Sequence, residues 1–284
     1  MNKLNLVALL SLGVSLSLFA ADTDSVRRLK EHFFAQANQR LQGAQAAFLA
    51  YYGLDSKGLD NPEMTEVLAQ IIERDNCAQA KKFQSRSKRC LQACHSLCHP
   101  HQARTLAEQQ AVLEAIAQRT FEDLGLGEVK IHHDAELGDN VGVMRCVSLN
   151  QVWVMADVAH YVALPERFAE VLWHEASHVV HQDTLLKQKL GCLAFTTAAS
   201  NPERSEIEKA LGDVAQACEM RSDAFSVLNS PEHGKDLIAV LEGFLVDESE
   251  YASGIDPEQI RTNLRSRIEI LKSLQVELAR DEKK

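Results

Sequence analysis

Residues 165–183 read PERFAEVLWHEASHVVHQD. The stretch opens on a proline followed by acidic side chains, the composition of a helix start. Val171, Leu172, Trp173, Val179 and Val180 then surround the pentapeptide His174-Glu175-Ala176-Ser177-His178. On a helix, positions i and i+4 share one face with Cβ atoms roughly 6 Å apart. Two imidazoles so placed can converge on one Zn²⁺ at ~2.0–2.1 Å. Glu175 sits about 100° further round the helix, where it can reach a water without ligating the metal, the place of a general base. The plainer alternative is an amphipathic helix carrying two core or solvated histidines. The apolar surroundings weigh against it, because buried imidazoles and a buried carboxylate require partners.

A catalytic zinc site needs a third protein ligand and one open position. The residue ten places after His174 is Thr184, which cannot serve. His181 lies one turn beyond His178, too close along the same helix to complete a tetrahedron, and reads as supporting or surface. The better candidate is Glu219, 41 positions after His178, in Cys218-Glu219-Met220-Arg221-Ser222-Asp223. Glu219 and Asp223 are spaced i, i+4 on a helix expected from about Pro202 to Leu228. Glu219 would ligate the metal, and Asp223 would accept the spare N–H of a ligand histidine.

Outward from this centre the chain is mostly helical. Apolar side chains at Val26, Leu29, Phe33, Ala37, Leu41, Ala44, Phe48 and Tyr51 recur in steps of three and four, marking a helix over 25–52. Asn61-Pro62-Glu63 is a capped helix start. Leu106, Leu113, Ile116, Ala117, Phe121 and Leu124 form another stripe, ended by Gly125 and Gly127. Short strands are expected at Val129–His132, Val141–Val147 and Val152–Met155. From Pro165 onward the chain reads as helical again. The fold class expected is α+β, mainly α: a small sheet, an active-site helix and a helical N-terminal extension.

These motifs resemble the zinc metallopeptidases that include the CAAX prenyl endopeptidases and the HtpX heat-shock proteases, over roughly residues 105–275. The family pattern is a strand region, a His-Glu-x-x-His helix, a later Glu-x-x-x-Asp helix and a C-terminal Arg-Ile-x-x-Leu stretch. Here these fall at Asn140–Ala156, His174–His178, Glu219–Asp223 and Arg267–Leu271. The resemblance implies a gluzincin-like core and a zinc endopeptidase acting on protein or peptide substrates. It implies one Zn²⁺ held by His174, His178 and Glu219, with Glu175 and Arg267 catalytic. The sequence departs from the family in one respect. Asp256-Pro257 stands where a His-Pro pair usually precedes the arginine, and no histidine occurs between 234 and 284.

The chain has 284 residues, 45% hydrophobic and 25% charged, with 13 Gly and 6 Pro. That composition excludes a disordered or collagen-like chain. The net charge of −10 argues against nucleic acid as a partner. Residues 1–21 read as a secretory signal: Lys3, an apolar run from Leu4 to Phe19, and a small Ala20-Ala21 end. An uncleaved anchor is the alternative, and no later run is long enough to span a membrane. The expected organisation is a signal at 1–21, a helical cysteine-containing region at 22–104 and a metallopeptidase domain at 105–284, periplasmic or secreted. Export makes disulfides the expectation for seven cysteines, an odd number. Cys90, Cys94 and Cys98 form a helical stripe whose nearest outside partner is Cys77. The competing functional readings are a zinc-stabilised chaperone or interaction protein without turnover, and a metal-free helical scaffold of the cell envelope.

Overall fold

The computed structural model describes residues 24–55, 59, 61–97, 100–198, 204–230, 234–246 and 257–281, with side chains omitted at 83–105, 196–198, 257 and 281. The expected signal segment and the stripe sulfurs of Cys90, Cys94 and Cys98 lie outside these. The described chain is mainly helical with one small sheet, an α+β arrangement.

Three long helices come first: α1 (Asp24–Ala50), α2 (Pro62–Leu97) and α3 (Pro100–Glu122). Asn61 starts α2 as its sequence suggests, its side-chain oxygen accepting the Met64 N–H at 3.1 Å. The strands follow as β1 (Glu128–His133), β2 (Val141–Cys146) and β3 (Gln151–Ala156). Their order is β1-β3-β2, with β1 parallel and β2 antiparallel to β3, so β2 is an edge strand. β2 stops at Cys146, one residue short of the expected end. Residues Val147–Leu149 wind into a 3₁₀ turn that closes on Asn150 at φ 49°.

One sheet face presents Val129, Ile131, Val152 and Val154 to Leu113, Phe121, Phe168 and Leu172 of the main core. The other places Met144 and Trp153 against Ala80 of α2. This alternation follows from the two-residue period of strands. A short α4 (Val158–Tyr161), capped by Asp157, leads into α5 (Pro165–Val180) with Pro165 in its first turn.

Helix α5 ends at Val180, before the end of the stretch quoted above. Gln182 adopts φ 55°, a left-handed turn, and a new helix α6 (Asp183–Ala198) leaves in another direction. Then come α7 (Arg204–Asn229), α8 (Lys235–Val246) and α9 (Pro257–Asp281). Buried Glu170 of α5 accepts the Asp236 and Leu237 N–H groups at 2.7 and 2.9 Å, and that of Gly234, capping α8 from another helix.

The N-terminal α1 packs along α7. Leu41, Phe48 and Leu49 share a core with Ile207, Val214 and Ala217. Each of the Leu, Phe, Ile and Val side chains, fully buried, contributes about 1.5–3 kcal/mol. The residues expected to form separate N-terminal and C-terminal regions therefore share this core. Cys77 pairs with Cys146 in a disulfide that joins α2 to β2. This corrects the expectation that Cys77 serves the 90–98 stripe: α2 lies on the sheet, and that puts Cys77 beside the last residue of β2. Among the described residues, no helix is long and apolar enough to cross a membrane.

Candidate metal centre

Helices α5 and α7 cross with His174, His178 and Glu219 at their contact. The two Nε2 atoms lie 3.3 Å apart. His174 Nε2 is 3.3 Å from Glu219 Oε2, and His178 Nε2 is 3.5 Å from Glu219 Oε1. A tetrahedral ion with ligands at ~2.0–2.1 Å holds its donor atoms about 3.4 Å apart. The triangle therefore fits a zinc ion, with the donor set of two imidazoles and one carboxylate.

Both histidines are held from behind. His174 Nδ1 lies 2.9 Å from Asp223 Oδ1, and His178 Nδ1 lies 2.7 Å from Asp183 Oδ2. Ser222 Oγ also reaches His178 Nδ1 at 3.2 Å. With Nδ1 engaged by a carboxylate, Nε2 faces the triangle. Each carboxylate has its own arginine. Arg267 gives Asp223 a two-pronged contact, Nε to Oδ2 and Nη2 to Oδ1, both 2.7 Å. Arg221 binds Asp183.

Electrostatics follow from these contacts. Burial disfavours charge on His178, but Asp183 and Glu219 outweigh it and push its pKa up to about 10. His174 is raised in the same way: burial opposes the charge and Asp223 and Glu219 overcome it. Burial would raise Glu219, yet the two histidines and Arg267 hold it well below the carboxylate range. Asp223 is lowered against its burial by Arg267 and His174.

Glu175 differs from these groups. Its carboxylate makes no hydrogen bond or ion pair with the described residues. Burial raises its pKa, the histidines pull it down, and Glu219 adds to the rise. It is an unengaged base beside three donor atoms.

The structure thus brings together His174, Glu175, His178, Glu219 and Asp223 as the sequence spacing suggests. It also places Arg267 there, though turned toward Asp223 and, at 3.7 Å, toward Glu219. His181 is apart from the donors. Its Nδ1 reaches the Ser177 carbonyl at 2.9 Å and its ring packs on Phe34 and Phe225. Sequence reasoning missed Asp183, Arg221 and Lys187, whose Nζ lies 3.2 Å from Glu219 Oε1. Asp183 stands at the end of the quoted stretch, but its place beside His178 depends on the left-handed turn at Gln182, which the sequence does not announce. Arg221 stands inside the quoted Glu219–Asp223 motif. Compared with protein-family models, with curated proteins and with solved structures, the chain matches none.

Proposed function

We propose that this chain is a zinc-dependent endopeptidase of the CAAX prenyl endopeptidase and HtpX-like kind, with a gluzincin-like core, acting outside the cytoplasm on protein or peptide substrates. One observation carries the reading: the His174, His178 and Glu219 donor atoms form a zinc-sized triangle, with both imidazoles oriented by carboxylates and an unengaged Glu175 alongside. The Cys77–Cys146 disulfide supports an oxidising compartment.

His174, His178 and Glu219 would hold one Zn²⁺. Bound zinc supplies Lewis acidity toward a peptide carbonyl and acidifies water. Glu175 takes the proton from the attacking water and delivers it to the leaving amine, a transfer suited to a carboxylate whose pKa burial has raised. Asp183 and Asp223 fix the imidazoles so that Nε2 stays directed at the metal, and Arg221 and Arg267 fix those acids. Lys187 and Arg267 flank Glu219 and limit the cost of keeping its charge in a half-buried place.

The test is metal analysis of the purified protein together with Glu175→Gln. The expected result is one zinc per chain in both proteins, with metal-dependent cleavage of an unfolded protein by wild type and at least ~10²-fold less by the variant. Wild type without zinc, or with zinc and no cleavage, overturns the endopeptidase reading. The second of those results leaves the zinc-stabilised binding protein.

A further inference from the structure

We propose that Glu73, Cys77, Cys146 and Ser148 form a second metal site, for a thiophilic divalent ion of the zinc kind, in the chain whose Cys77–Cys146 disulfide has not yet closed. The site stands apart from the α5–α7 centre and does not depend on the peptidase reading. Glu73 and Cys77 are spaced i, i+4 and share one face of α2. Cys146 ends β2, and the 3₁₀ turn after it brings Ser148 back toward both sulfurs. Its Oγ lies 3.3 Å from Cys77 Sγ and 3.7 Å from Cys146 Sγ.

Glu73 Oε1 lies 3.1 Å from Cys77 Sγ and 3.5 Å from Cys146 Sγ. A tetrahedral zinc with sulfur at ~2.3 Å and oxygen at ~2.0–2.2 Å holds sulfur and oxygen donors about 3.5 Å apart, and two sulfurs about 3.8 Å apart. The sulfur–oxygen distances already suit the ion. The two sulfurs, bonded to each other here, need only part, which a χ1 rotation of each achieves. Among the described residues, this group and the His174, His178 and Glu219 triangle are the two that gather three donor side chains so closely.

Glu73 also accepts the Val147 and Ser148 N–H groups at 2.9 and 2.7 Å, and Asn76 Nδ2 donates to the Arg145 carbonyl at 2.8 Å. These contacts hold α2 on the end of β2, so the donors stay gathered when the sulfurs are apart. The carboxylate gains nothing from a disulfide, whose sulfurs have no proton to give. Two thiols do have protons, and a fixed carboxylate beside them disfavours their ionisation. A divalent ion replaces both protons and offsets two of the three negative charges. Two thiolates with one carboxylate select a zinc-like ion over magnesium or calcium. Cys146 is fully buried, Cys77 half-buried and Ser148 exposed, so the ion enters on the Ser148 side.

Ion and disulfide exclude each other. When a small disulfide such as oxidised glutathione closes the loaded pair, both metal–sulfur bonds break and the Cys77–Cys146 bond forms. Two electrons reduce the oxidant, which takes two protons from water to become two thiols, and the ion leaves. With the disulfide closed, α2 and β2 supply no ligand, and zinc is held at the α5–α7 centre alone.

The experiment uses the full chain, reduced with a phosphine and desalted under argon, with cobalt(II) as the probe. Thiolate-bound cobalt has a near-ultraviolet charge-transfer band that a site of imidazoles and carboxylate lacks, so the two centres are read apart. Wild type is compared with Cys77→Ser and with Glu73→Gln, which keeps both thiols. The rate of disulfide closure by oxidised glutathione is followed by peptide mapping, with and without zinc. The expected result is one more cobalt in wild type than in Cys77→Ser, with a stronger thiolate band, and binding at least ~10-fold weaker in Glu73→Gln. Zinc should slow closure about tenfold in wild type and less in Glu73→Gln. A band and affinity unchanged by either substitution, or closure at one rate with and without zinc, overturns the site. Should Cys77→Ser fail to fold, Glu73→Gln and the closure rates decide.

Discussion

His178 Nδ1 and Asp183 Oδ2 are 2.7 Å apart across the break between two helices. The contact exists because α5 stops at Val180 and Gln182 turns left-handed, bringing the first residue of α6 back beneath the imidazole. Asp183 is 1% exposed and also bound by Arg221, so its orientation is fixed from both sides. With His174–Asp223–Arg267 it makes two parallel relays, each running from imidazole to carboxylate to guanidinium.

The relays imply an order of metal loss. Glu219→Gln removes an anionic donor and should release zinc at far lower chelator concentration than any other single change. Asp223→Asn and Asp183→Asn leave the donors in place but misdirect one imidazole each, a loss of ~10–100-fold in affinity or activity. Chelator titration of the three variants against wild type checks the ranking. Equal resistance in all four would show that Glu219 is not a ligand and that neither aspartate orients one.

Zinc uptake should release protons at neutral pH. Asp183 and Glu219 raise the pKa of His178 from 6.5 to about 10, so the metal-free protein carries an imidazolium there. Stability from that charge is present below the ordinary histidine value and is lost as pH rises through about 10. Zinc requires the neutral ring, so its affinity moves the other way and rises with pH over this window. Calorimetry of zinc binding in two buffers of different ionisation enthalpy should give different heats. Identical heats would mean that the histidines are already neutral.

The Cys77–Cys146 disulfide closes a loop with a sequence separation of 69 residues. Constraining the unfolded chain in this way stabilises by about 2–4 kcal/mol. Cys77→Ser should lower the urea midpoint by a corresponding amount while zinc content is retained, since no ligand lies on α2 or β2. A midpoint equal to that of wild type would show that Glu73 and Asn76 alone fix α2 on the sheet.

Glu170→Gln tests the cap that one helix provides for another. The carboxylate accepts three backbone N–H groups at the start of α8, and the amide offers a single acceptor oxygen with two donors among them. The expected cost is about 1–3 kcal/mol, read from a shifted denaturation midpoint with unchanged slope. No shift would mean that the α8 start finds water instead.

Much of this architecture was legible in the chain. The i, i+4 spacing of His174 and His178 specified a shared helix face, and the Pro and Asn punctuation located most helix starts. The strands were readable from alternation, to within a residue at their ends. The Glu219–Asp223 pair was recoverable because a zinc site needs a third ligand and a carboxylate behind an imidazole. Asp183 was not, because its role depends on a chain reversal at Gln182, a residue with no sequence preference for a left-handed turn. The partner of Cys77 was hidden for a similar reason: α2 meets the end of β2 only through tertiary packing across 69 positions.

The packing of α1 along α7 has a consequence for the order of assembly. The first described helix and the helix bearing Glu219 are separated by some 150 residues of chain, yet they share one apolar core. Contacts of such long range carry a large loop-closure entropy cost. A nascent chain holding His174 and His178 but not yet residue 219 has only two corners of the triangle, and α7, which brings the third, packs in the finished fold against α1 as well as α5 and α6. The His174, His178 and Glu219 triangle is thus a product of the finished fold, absent from any chain that has not yet added and packed α7.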